Sequence, residues 1–128
     1  MELNIKTSKR EEIIDITSQV KEAIQQAGDS KACLIYTPHA TAAIIVNENY
    51  DKAVCDDILN FLKKHIPQGK WKHDKIDGNA DAHIKSSIIG PSQIIPINNG
   101  RLQLGTWQGI ALAEFDGPRS RRIIIQLL

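Results

Sequence analysis

Residues 73–83, HDKIDGNADAH, place two histidines, three aspartates and a Gly-Asn step in one short run. A core does not require such a run, whereas chemistry can use it. Histidine exchanges a proton near neutrality because its unperturbed pKa is about 6.5, and its neutral nitrogen binds divalent metals. His73 and His83 bracket the run, and His39 follows a proline in TPHATA, at the break between two apolar stretches. Three separated histidines with a carboxylate could build an open metal site. Turn and helix-start roles explain the same residues equally well, and there is no H-E-x-x-H or cysteine pair to decide the matter. His65 stands apart: it follows Lys63 and Lys64 and precedes Pro67 by two positions, which suits the C-terminal end of a helix.

The other candidates are carboxylates and anion-binding groups. Asp77, Asn79 and Asp81 precede an apolar helical stretch and read mainly as caps. The free N–H groups of a helix start also attract phosphate, and Lys85 and Ser86 could add a charge and a hydroxyl. Glu48 lies between two amides in NEN at a strand-to-helix junction and has no capping role to explain it. In LGTWQG, the Gly105-Thr106 backbone step with Trp107 and Gln108 could cradle a phosphate or a ring, although an aromatic beside a turn is more often there for packing. The basic stretch PRSRR contributes Arg119, Arg121 and Arg122, either as structural arginines or as an anion site or subunit contact. No Walker or dinucleotide fingerprint is present.

These residues need elements to position them. ELNIKT alternates and predicts a half-buried strand, with EEIIDI returning as its hairpin partner. Val20, Ala23, Ile24 and Ala27 predict a helix from Thr17 to Ala27, ended by Gly28. KACLIYT and TAAIIVNE predict strands on either side of His39. Asp51 caps a second helix to His65, with Val54, Ile58, Phe61 and Leu62 as its core stripe. Asp57 flanks that stripe and can lean inward. ADAHIKSSIIG predicts a short helix ending at Gly90-Pro91, and SQIIPI a strand in which Pro96 suggests an edge or irregular position. GIALAEFD and RRIIIQLL are expected to pair as a hairpin around Gly117-Pro118, the last strand being apolar enough to be covered on both faces. Strands outnumber helices, so the fold class is α+β: one domain, residues 1–128, mainly antiparallel sheet with two to three helices.

Composition narrows the function classes. Sixteen basic and fifteen acidic residues give a net charge of +1, so no global field recruits nucleic acid or a membrane surface. No apolar run approaches the roughly 18 residues of a membrane span, and MELNIKTSKREE has no signal-peptide core. Cys33 and Cys55 form neither a disulfide framework nor a zinc spacing, and the expected setting is a reducing cytoplasm.

Taken in order, TPHATAAIIVNENYD, W-x-H leading into GNADAHIKSSIIG, and IPINNGRLQLGTWQGIALAEFDGPRSRR resemble the YjbQ family, whose bacterial and archaeal members are described as secondary thiamine-phosphate synthases. The resemblance runs the length of the chain, with GRLQLGTWQGI its most specific stretch. It implies a compact α+β fold and a homotrimer. Carried over by motif, it singles out His39, Glu48 within Asn47-Glu48-Asn49, Asp57, His73, His83, Lys85 and Arg122. This chain has Asn79-Ala80-Asp81 where the family pattern has an acidic pair. The implied reaction joins a pyrimidine pyrophosphate to a thiazole phosphate and releases pyrophosphate. Such chemistry requires the leaving group to be neutralised, by a divalent cation and by cationic side chains. His39, Glu48, Asp57 and His83 would then be catalytic, with the cation on His39, His73 and His83 or on Glu48 and Asp57. Lys85, Ser86, Arg101, Gly105, Thr106 and Arg122 would hold phosphates. Histidines suit zinc, while pyrophosphate oxygens suit magnesium. The competing classes are a metal-dependent phosphatase of small esters and a non-catalytic sensor of a phosphorylated metabolite.

Overall fold

The structure, a computed structural model, describes residues 1–128. Eight strands and three α-helices follow one another as β1 (Glu2–Lys6), β2 (Glu12–Asp15), α1 (Thr17–Ala23), β3 (Ala32–Tyr36), β4 (Ala42–Asn47), α2 (Lys52–His65), α3 (Ala80–Ile89), β5 (Ser92–Asn98), β6 (Arg101–Leu102), β7 (Gly109–Glu114) and β8 (Ser120–Leu127). Short 3-10 turns extend α1 over Ile24–Gln26 and precede α3 at Lys72–Lys75. The strands form two antiparallel sheets, ordered β1-β8-β3-β5-β6 and β2-β7-β4. The expected α+β class therefore holds.

Three layers result. The inner faces of the two sheets meet in a core of Cys33 and Ile35 (β3), Ala42 and Ile44 (β4), Ile95 and Ile97 (β5), Ile110 and Leu112 (β7), and Ile123 and Ile125 (β8). Val20, Ala23 and Ile24 of α1 and its extension close one end of that core. The other face of the three-stranded sheet carries Ala43, Ala113 and Phe115, against Leu62 of α2 and Ala82 of α3. Alanines at the sheet-helix contact leave room for close approach, so every residue of β7 is buried. The outer face of the five-stranded sheet has no covering layer: Tyr36 and Ile94 are exposed there, beside half-buried Leu34 and Ile124.

Four local expectations are corrected. β2 does not return against β1; it pairs with β7, Ile13 opposite Ala113, because Ile13 and Ile14 serve the smaller sheet. β7 and β8 do not form a hairpin. The turn at Gly117-Pro118 carries the chain from one sheet to the other, and β8 pairs with β1 and β3 instead. A β-carbon at Gly117 would lie 2.2 Å from the Lys9 carbonyl oxygen, so this crossover fits only glycine. The strand covered on both faces is β7, not β8: β8 alternates, with Arg121, Ile123 and Ile125 inward and Arg122 and Gln126 exposed. Phe61 is not in the α2 stripe; it is 62% exposed and stacks on His65 with ring centroids 4.4 Å apart.

Candidate functional site

His39 sits in the loop joining β3 to β4, and its position is set by β8. The Arg122 backbone N–H donates to His39 Nε2 at 2.9 Å, and Thr37 Oγ1 donates to the Arg122 carbonyl at 3.3 Å. With Nε2 acting as acceptor, the neutral ring carries its proton on Nδ1. Burial lowers the His39 pKa below its usual value, and the positive charges of Arg121, Arg122 and Arg119 add to this against the opposing pull of Glu114. His39 is therefore a neutral imidazole with an Nδ1–H to donate.

A cleft of about 590 Å³ opens beside it, lined by His39, Thr41, His83, Asp116, Arg119 and Arg121 among others. One wall is a buried ion pair. Arg121 Nε donates to both Glu114 oxygens at 2.9 and 3.0 Å, and Arg121 Nη2 bonds Glu114 as well. The same Nη2 donates to Thr41 Oγ1 at 2.8 Å, and Glu114 accepts from Thr7 Oγ1 at 2.8 Å. Arg119 is half exposed and bonds Asp116 at 3.1 Å, while Asn79 Nδ2 donates to the same Asp116 oxygen at 2.8 Å. Arg119 is the cation that an anion in the cleft can reach.

α3 delivers His83 to this cleft and toward His73, whose ring meets it edge-on at 5.1 Å between centroids. His73 Nε2 is buried without a hydrogen-bond partner, 3.5 Å from Asp77 Oδ2. The helix is not capped as the spacing suggested. Asn79 turns its amide to Asp116, and Asp74 Oδ1 accepts from Ala80 N at 3.0 Å. Asp81 is no cap either. It is fully buried and takes a bidentate bond from Arg10, at 2.9 and 3.1 Å, and one from Lys85 at 3.0 Å. Burial pushes the Asp81 carboxyl up, but Arg10 and Lys85 outweigh it and hold the pKa below the usual range.

Lys85 is 1% exposed and bonds Glu11 at 2.6 Å as well as Asp81, which makes it a structural cation, not a phosphate ligand. Ser86 is buried and its Oγ has no partner. Arg122 points outward and pairs with Glu2 at 3.0 Å, so only its backbone N–H serves the cleft. Arg101 is exposed on β6.

The remaining candidates lie at the other end of β4. Glu48 is half buried, with Asn49 beyond it turned toward Gly109. Asp57 is exposed, on an apolar groove with Asn47, Ile45, Phe61 and Ile89. The Gly105 N–H is taken by Gln108 Oε1 at 2.8 Å and is not free for a phosphate. No three His, Cys, Asp or Glu side chains come close enough to hold a metal ion. His39, His73 and His83 thus do not fit a resident metal within one protomer, and the Nε2 of His39 is already engaged.

Sequence reasoning missed Arg10, Glu11 and Glu114, partners that shape the site. The signal available was charge placed inside apolar strands: Glu114 ends GIALAE, and Arg121 opens a strand of isoleucines.

Comparison with known proteins places the chain. The family model described as "UPF0047 protein YjbQ-like" matches residues 1–128. A UPF0047 protein of Archaeoglobus fulgidus is 49% identical over 129 residues, covering 100% of both chains. YugU of Bacillus subtilis, another UPF0047 protein, is 48% identical over 98% of this chain and 96% of its own. Among solved structures, a YjbQ/UPF0047 protein of Clostridium acetobutylicum superposes with a TM-score of 0.95 at 46% identity, covering 100% of this chain and 99% of that one. A protein of Sulfolobus solfataricus, described as YbjQ-like and of unknown function, gives 0.95 at 38% identity over 99% and 94% of the two chains.

Proposed function

The chain belongs to the YjbQ-like UPF0047 family, and from that premise we propose that it is a thiamine-phosphate synthase-like transferase whose His39–His83 cleft receives a pyrophosphate leaving group. One observation supports this reading above the others: two histidines and two arginines share a single cleft. The C–O bond from the pyrimidine methylene to pyrophosphate breaks, and its electron pair leaves with pyrophosphate. The thiazole nitrogen then donates its lone pair to the carbon. Chain residues serve the departing charge. The neutral His39 donates through Nδ1–H, Arg119 swings from Asp116 toward the phosphates, and the Arg121–Glu114 pair holds the wall in place. Because one protomer provides no three-ligand metal site, magnesium is assigned to the substrate, arriving on its pyrophosphate oxygens. The uncovered outer face of the five-stranded sheet, with Tyr36 and Ile94 exposed, offers the contact for a homotrimer. Two buried free cysteines, both thiols pushed up by burial, suit a reducing cytoplasm. No helix is long and apolar enough to cross a membrane.

The test incubates the protein with the pyrimidine pyrophosphate, the thiazole phosphate and magnesium, and follows thiamine phosphate and pyrophosphate together. Both products should form in equal amounts and should be lost in His39→Ala and His83→Ala. Phosphate release without the thiazole would replace this reading by the hydrolase. Stabilisation by the substrates with no turnover would replace it by the sensor.

A further inference from the structure

At the far end of β4, a second cavity of about 330 Å³ lies between the start of α1 and the turn before β7. Six strand residues separate it from the His39 loop, a span of about 20 Å. It shares no lining residue with that cleft.

Two largely exposed aromatic rings border it. Tyr50 is 90% and Trp107 68% exposed. Trp107 is not on a loose loop. Gln108 N donates to the Gly105 carbonyl at 3.0 Å, and Gly105 N donates to Gln108 Oε1 at 2.8 Å, so the turn is closed from both sides. An indole held out on a rigid turn is presented at little entropic cost to whatever stacks on it.

Two acceptors of this cavity are left without a protein donor, beside the hydroxyls of Ser18 and Thr106 and the side-chain amide of Gln108. Asp15 uses Oδ1 to receive the Thr17 N–H at 2.8 Å, while its Oδ2 receives no protein donor. Asn49 gives its Nδ2 to the Ile110 carbonyl at 3.4 Å and leaves Oδ1 without a donor. Asn49 can lie there only because residue 109 is glycine: a β-carbon would come within 2.2 Å of Oδ1. No lysine or arginine lines the cavity.

We infer that this cavity between Tyr50 and Trp107 is a binding site for a planar nitrogen heterocycle bearing an amino group. The rings supply stacking, the Asp15 carboxylate and the Asn49 amide oxygen accept the amino N–H groups, and the lack of a cation excludes a phosphate at this end. The inference stands apart from the transferase reading, since neither His39 nor His83 takes part.

The experiment uses the full-length chain with Trp71→Phe, which leaves Trp107 as the single tryptophan, and titrates adenine against its fluorescence. Purine, which lacks the amino group, is the control. Adenine should quench Trp107 saturably, and purine should bind about tenfold more weakly or worse. Asp15→Asn keeps an oxygen for Thr17 but removes the charge, and should weaken adenine about tenfold. Asn49→Ser is the second variant, should the first disturb α1, and should weaken adenine in the same direction. The inference is overturned if quenching never saturates, or if adenine and purine bind alike. It is also overturned if Trp107 is shielded from iodide at high protein concentration and becomes accessible on dilution, because a second copy would then cover the cavity.

Discussion

Glu114→Gln tests whether the cleft wall is held by charge. Glu114 is completely buried and Arg121 nearly so, and their guanidinium–carboxylate contact is supplemented by Thr7, Thr41 and the Asp116 N–H. Glutamine preserves shape and one acceptor oxygen, but it leaves the Arg121 charge buried without a counter-charge. It also turns an NH2 toward donors that previously met an oxygen. Breaking a buried pair from one side costs about 3–5 kcal/mol. For a chain of this length that corresponds to a fall in Tm of roughly 12–20 °C. Replacing both partners, Glu114→Leu with Arg121→Leu, should recover much of that loss, because the uncompensated charge is gone. Urea unfolding followed by circular dichroism, at one protein concentration so that any subunit association is held fixed, gives all the corners of the cycle. The single variant should respond little to 1 M salt, since a buried pair is poorly screened. A cost below about 1 kcal/mol for Glu114→Gln, or a double variant as unstable as the sum of the singles, would refute the reasoning. The pair would then be a solvated surface contact, contrary to its burial.

His39 should titrate by NMR below the usual histidine pKa of about 6.5, and Arg121→Leu should move it upward by removing one of the charges that lower it. Because the folded pKa is the lower one, His39 favours folding fully above about pH 6.5, and this contribution is lost as pH falls through the folded pKa; relative to His39→Gln, wild-type stability should rise with pH across that window. Lys85→Met should destabilise by about 3 kcal/mol, the low end for a broken buried pair because Arg10 still covers Asp81, while leaving the KM for a phosphorylated substrate unchanged. A KM that rises severalfold in a folded Lys85→Met protein would return Lys85 to the substrate. Gly109→Ala should cost about 1–3 kcal/mol by displacing Asn49, and Asn49→Ala in the same chain should relieve most of it in urea titrations.

Local pattern carried much of the fold, and long-range choice carried the rest. The Asp51 cap of α2 was legible, since Asp51 Oδ1 accepts the Ala53 N–H at 2.9 Å, and so were the strands on either side of His39. The partner of β2 was not legible. EIID has the same alternation whether it pairs with β1 or with β7, and only the whole sandwich decides between them. The Gly-Pro step read as a hairpin because turn chemistry reports a reversal, not which sheet the next strand enters. His39 and His83 were readable as candidates because histidines in polar loops and helix starts have few structural tasks. Asp81 and Lys85 were misread for the opposite reason. Their four-residue spacing on α3 looked like a cap and a free cation, but Arg10 and Glu11, more than seventy positions away in sequence, bury both.

The interior charges also fix the elements that carry the cleft residues. The Asp81–Arg10–Lys85–Glu11 network ties the start of β2 to α3, and the Glu114–Arg121 pair ties β7 to β8 across the change of sheet. Each joins elements that share no backbone ladder. Hydrophobic contact alone would let α3 slide on the alanine-rich face of β4 and β7, since small side chains provide few interlocking shapes. A bidentate arginine fixes direction as well as distance. His83 lies between Asp81 and Lys85 on the same helix, so whatever orients those two charges also aims His83 into the cleft. The network therefore sets the direction of His83 even though none of its members lines the cleft.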